Sequence, residues 1–135
     1  MIQRDFVLRQ IQQLVQVLTR VLKLKHEGQG EEVFSVIDTA FQETLGLGVK
    51  DLATLPAADL LSLCSENGTL HAQKALVVAE LIEATFEEEA IGETGMAGRM
   101  QAALSLYEAL IASGEAVPFD IYDRIAHLKE VLSAT

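Results

Sequence analysis

Tryptophan is absent from the 135 residues, and only one cysteine and two prolines occur. A single cysteine, Cys64, cannot close an intrachain disulfide, so a disulfide-stapled scaffold is excluded and a reducing compartment is expected. Two prolines in a chain that is 50% hydrophobic exclude a Pro-rich or disordered segment. Basic residues are also scarce: ten Lys and Arg stand against twenty Asp and Glu, a formal charge of −10. Such a surface repels polyanions, and phosphate contacts dominate nucleic-acid affinity, so no nucleic-acid partner is expected.

Long apolar runs are missing too. No stretch reaches the roughly 18 uncharged apolar residues of a membrane span, so no membrane partner is expected. Arg4, Asp5, Arg9 and a series of glutamines occupy the place where a signal peptide would have its apolar stretch. The expectation is a cytoplasmic protein. No convincing alternation of apolar and polar residues with β-branched bias occurs, which argues against strands.

What is plentiful is Leu, Ala, Val, Glu and Gln, residues that favour or tolerate helix. The length suits one domain over residues 1–135 that can bury a real core. The fold expected is all-α, five to six antiparallel helices. The stretch Arg4–Lys25 organises this reading. At about 100° per residue its apolar positions cover an arc of roughly 200°, twice what one packing partner needs. Such a helix is either central or forms a subunit interface. Val7, Ile11, Leu14, Leu18 and Val21 follow the 4-3-4-3 spacing of a coiled-coil seam, over barely two heptads. Gln10 intrudes on the arc and needs hydrogen-bond partners if buried. Arg20, Lys23, Lys25 and His26 gather at the C-terminal end, where they complement the helix dipole.

Gly28-Gln29-Gly30 stops this helix. A second follows at Glu31–Leu45, folding back antiparallel across the short link. Val49–Leu55 is ambiguous, with a turn of helix at Lys50–Ala53. Pro56 opens a short helix to Ser65, which Asn67-Gly68 closes. A fourth helix runs from Thr69, as N-cap, to Glu89. The fifth is Met96–Ser113, ended by Gly114, and the sixth is Pro118–Leu132.

Gly28, Val33, Ile37, Ala40 and Phe41 reproduce residue offsets of the second half of a tetratricopeptide repeat. Gly98, Ala103, Tyr107, Leu110 and Ile111 reproduce them again, 70 residues later. The chain is thus similar to a short tetratricopeptide-like helical hairpin array, although the first halves of both repeats depart from the pattern. The opening resembles a family of small bacterial helical proteins of uncharacterised function, whose members begin R-D-[YF]-x-[LM]-R-x-I-x-Q. Arg4, Asp5, Phe6, Leu8, Arg9, Ile11 and Gln13 carry that resemblance. It implies a helical fold and brings no activity, cofactor or catalytic residue.

Candidates for chemistry are few. His26, His71 and His127 lack a second ligand at helical metal spacing and read as solvated or capping histidines. Successive Glu87, Glu88 and Glu89 point about 100° apart and cannot converge on one ion. Glu80, Glu83 and Glu87 share a face, without the Glu-x-x-His of di-metal bundles. Cys64 sits in an apolar run with no base to activate it. Gly92-Glu93-Thr94-Gly95 lacks the strand and Lys-Ser/Thr of a phosphate loop and reads as an interhelical loop. Asp5 and Arg9, at i and i+4, can pair on one face, and with Arg4 they suit contact with a neighbouring helix or subunit.

No catalytic residue, cofactor or metal is assigned. The function expected is a non-catalytic protein–protein interaction or assembly module, homodimeric through Arg4–Lys25, with its binding surface either a groove between helix pairs or the exposed part of that first helix. The alternative is a small-ligand binder or enzyme with an interhelical pocket lined by Glu80, Glu83, His71 or Tyr107.

Overall fold

Wide apolar faces and glycine-bearing links produce a bundle of short antiparallel helices. The structure, a computed structural model, describes residues 2–86 and 95–134. These comprise α1 (Ile2–His26), α2 (Val33–Thr44), α3 (Ala57–Leu63), α4 (Ala72–Ala84), α5 (Met96–Ser113) and α6 (Ile121–Ala134). 3-10 turns at Gly30–Glu32 and Val49–Ala53 precede α2 and α3. The all-α class holds. Glu87 to Glu89 and Gly92-Glu93-Thr94 lie outside the described residues, as does the side chain of Arg4.

The α1–α2 link shows how a short sequence forces a reversal. Gly28 takes φ 76°, a left-handed conformation that costs a residue without Cβ little. That lets Gln29 N–H reach Leu24 O at 2.8 Å and Gly28 N–H reach Lys25 O at 3.2 Å. Together they close the helix in a Schellman motif, and α2 returns along α1.

Asn67-Gly68 does something other than end a helix. Asn67 at φ 54° and Gly68 at φ 81° form the tight turn that matches strand twist. Two short strands flank it, β1 (Ser65–Glu66) and β2 (Thr69–Leu70), paired antiparallel with Ser65 opposite Leu70. Thr69 is therefore a strand residue, not an N-cap. The cap of α4 is His71, whose Nδ1 accepts from Lys74 N–H at 3.5 Å. Pro56 similarly precedes α3 as its N-cap residue and lies outside the helix.

The helix enclosed on most sides is α5, not α1. Around α5 stand α4, α6, α3, the Val49–Ala53 turn and β2. Its buried residues face several directions: Met96, Arg99, Met100, Ala102, Ala103, Leu104, Leu106, Tyr107 and Leu110. Small side chains make this crowding possible. A Cβ at Gly98 would lie 2.3 Å from Ala53 O and 2.8 Å from Ala53 Cα, so only glycine lets that turn rest on α5. Asp38 of α2 fixes the turn by accepting Val49 N–H at 2.8 Å, and Asp51 Oδ2 accepts Gly48 N–H at 2.8 Å.

By contrast α1 packs on α2 and α4 along one side only. The glycines of the two repeat-like segments also differ in role. Gly28 is a left-handed turn residue with open space around it, whereas Gly98 is helical and pressed against Ala53.

Candidate functional site

Two places gather chemistry or unsatisfied surface. The first is a polar cluster where α4, α5 and α6 meet. Tyr107 is fully buried on α5, and its hydroxyl donates to Glu83 Oε1 of α4. Arg124 of α6 reaches in from the side: Nη1 donates to Tyr107 Oη at 3.4 Å and lies 3.6 Å from Glu80 Oε2. Its Nε donates to Asp120 Oδ2 at 3.0 Å, and the guanidinium carbon sits 6.0 Å from the Tyr107 ring centroid. Burial raises the Glu80 carboxyl above the usual carboxylate range, and the Arg124 charge offsets part of that. Burial, then the hydrogen bond to Glu83, pushes the Tyr107 phenol up as well.

The structure thus brings together Glu80, Glu83 and Tyr107 but not His71, which caps the far end of α4. Arg124 and Asp120 were missed in the sequence because they come from α6 and the turn just before it, whose docking no local pattern announces. Their i, i+4 spacing was the available signal. Within the cluster one cation meets two carboxylates, and the phenol donates to a third. A groove of ≈ 240 Å³ between α4 and the Pro118 turn is lined by Ala72, Gln73, Leu76, Leu110, Val117 and Pro118, not by the cluster. The arrangement holds α6 on α4 and α5.

A second, partly buried polar joint ties α1 to the bundle. Gln10 Nε2 donates to Thr44 O at 2.6 Å, and Lys74 Nζ donates to Gln10 Oε1 at 3.0 Å. The partners that Gln10 needs are thus an α2 carbonyl and an α4 ammonium. Burial lowers the Lys74 pKa, and nearby Cys64 partly opposes this. Arg99 is buried too, donating to Thr85 Oγ1 at 3.3 Å and lying 5.7 Å from the Phe34 ring centroid.

Cys64 is fully buried, and burial pushes its thiol up to about 12, with Lys74 acting against the rise. A protonated, enclosed thiol is a poor nucleophile. The three histidines lie on three different elements: His26 exposed at the end of α1, His71 before α4, and His127 exposed on α6. No group of three or more His, Cys, Asp or Glu among the described residues could hold a metal ion. No helix among them is long and apolar enough to cross a membrane.

The other place is the outer face of α1. Ile11, Leu14 and Val21 are buried in the chain's own core, so the seam through Val7, Ile11, Leu14, Leu18 and Val21 does not stand open to a partner along its length. What stays outside is a neighbouring row: Leu8, Val15 and Leu22 are 40%, 41% and 59% exposed. They recur every seven residues, so they align along one line of the helix with a slow drift. Buried Ile11 and half-buried Leu18 alternate with them along its edge. Read in order, Leu8, Ile11, Val15, Leu18 and Leu22 give 3-4-3-4 spacing. Exposed Gln12 and Thr19 border the row on its solvent side.

No protein-family model, curated protein or solved structure matches the chain.

Proposed function

We propose that the protein is a non-catalytic protein–protein interaction and assembly module of helical-hairpin type, and that its docking face is the outer row of α1. The carrying observation is the exposed line of Leu8, Val15 and Leu22 on a helix whose other side is already committed to α2 and α4. Scattered exposed leucines are ordinary, but apolar residues aligned along one helix face mark an interaction surface. The partly buried polar groups support the reading from the other direction. The Tyr107 cluster and the Gln10–Lys74 joint are consumed in holding helices together.

The test is mass in solution by light scattering over two decades of concentration, for the native chain and for Val15→Glu. The expected result is association of the native chain, abolished in Val15→Glu while the helical circular dichroism is unchanged. A native chain that stays monomeric throughout, or association that survives Val15→Glu, overturns the proposal.

A further inference from the structure

Charge along α1 is organised as well as hydrophobicity. This helix holds five of the ten basic residues, Arg4, Arg9, Arg20, Lys23 and Lys25, but only one of the twenty acidic residues, Asp5. The acid lies at the N-terminal end, and three of the cations lie in the second half. Asp5 and Lys23 are both exposed. At about 100° per residue they share one azimuth, five turns apart on the same flank of the outer row.

We infer that the occupant of the α1 face is a second copy of this chain, packed antiparallel about a two-fold axis through Val15. The inference rests on the assembly reading above and adds to it the partner and its direction. A two-fold axis perpendicular to both helices keeps each flank facing its own kind while reversing direction. Val15 then meets Val15 of the second copy, and Leu8 meets Leu22. On the flank, Asp5 of each copy comes opposite Lys23 of the other, at both ends of the seam. Gln12 and Thr19 face each other between those ends.

A parallel pairing, with its two-fold axis along the helices, would turn the Asp5–Lys23 flank of each copy towards the opposite flank of the other, so that no Asp5–Lys23 pair forms, and it would align the two helix dipoles. Antiparallel pairing opposes the dipoles. The neutral flank also matters in a chain of formal charge −10, because mutual approach of two copies is repelled wherever carboxylates meet. The α1 face is where copies can meet without bringing acidic rows together. Helices of 25 residues are about 37 Å long. A pair packed along that length buries on the order of 1,000 Å², at the lower bound for a specific interface. The dimer is therefore expected to dissociate on dilution.

Disulfide trapping reads both the face and the direction; buried Cys64 does not compete for oxidation. Val15→Cys alone is expected to form a covalent dimer on mild oxidation. Leu8→Cys mixed with Leu22→Cys is expected to trap a mixed dimer, with neither variant trapping itself. Self-trapping by Leu8→Cys establishes a parallel pair and overturns the inference while leaving the α1 assembly face intact. A dimer in solution with no trapping through Val15→Cys overturns that reading as well. A monomer that instead sediments with anionic phospholipid vesicles overturns both, whereas a monomer that binds only an acidic peptide helix overturns the inference of a second copy. Charge reversal gives an independent check. Asp5→Lys and Lys23→Asp should each weaken dimerisation roughly three- to tenfold, since two copies of a modest surface pair are lost. The double variant should recover most of the affinity. Failure of the double variant to recover overturns the Asp5–Lys23 pairing.

Discussion

Set α5 beside α1 and the two longest helices solve opposite problems. Neighbours crowd α5 on most sides, and it accommodates them with small residues: Gly98, Ala102 and Ala103 let a backbone turn and neighbouring helices come close. Large Leu, Ile and Val side chains line α1, which buries one side and leaves Leu8, Val15 and Leu22 outside. The breadth of an apolar arc therefore does not measure how central a helix is. A helix becomes central when its surface permits close approach, and a broad arc of large residues can equally mark a surface prepared for another molecule.

Three substitutions sharpen or break this contrast. The largest effect is expected at the crowded helix. Gly98→Ala places a methyl carbon against the Ala53 backbone, which is not the flexible end of a side chain and cannot step aside. Overpacking of that kind should cost about 2–3 kcal/mol, read as a lower urea midpoint with unchanged slope. A midpoint matching the native chain would mean that the Val49–Ala53 turn does not rest on α5.

A middle-sized effect is expected where α1 joins the bundle. Lys74 is buried with its pKa lowered by burial. Unfolding raises that pKa back towards the ordinary 10.5, so between the two values the unfolded chain binds the extra proton and stability rises with pH. Lys74→Met removes the buried charge. It also removes the donor to Gln10 Oε1, so the two effects oppose each other and the net change at neutral pH should stay within about 1 kcal/mol, while the variant loses ground against the native chain as pH approaches 10.5. Urea titrations of both proteins from pH 7 to 10 check this; a stability difference constant with pH would exclude titration of Lys74. The comparison between variants cancels the effect of Cys64, whose raised pKa preserves stability at neutral pH and withdraws it as pH climbs from about 9 towards 12.

The smallest folding effect is expected on the open helix. Val15→Gln, measured at a concentration where the chain is monomeric, should change stability by no more than about 0.5 kcal/mol. A loss of 2 kcal/mol or more would show that the outer row of α1 belongs to the chain's own core.

Much of the local structure was legible in advance because its causes are local. Gly28 and Gly114 end helices through left-handed turns, and Met96–Ser113 has the bounds its periodicity gives. Asn67-Gly68 was legible as a turn but not as a hairpin. Two-residue strands are too short to show alternation, and their pairing depends on where α3 and α4 are held. His71 displaced Thr69 as the cap for the same reason: β2 claims the threonine. Of the candidate residues, Glu80, Glu83 and Tyr107 do meet, but the Arg124 that neutralises part of their charge arrives from α6 by tertiary docking.

The sequence alone determined the helical class, the charge segregation along Arg4–Lys25 and the need of Gln10 for partners, because composition, spacing and hydrogen-bonding capacity are properties of the chain. The tertiary structure decided which apolar row of α1 stayed open, which helix became the centre and which polar residues were spent on each other. Those outcomes depend on which surfaces come close enough to touch, and a backbone carbonyl 2.3 Å from an absent Cβ at Gly98 is visible only once both segments are in place.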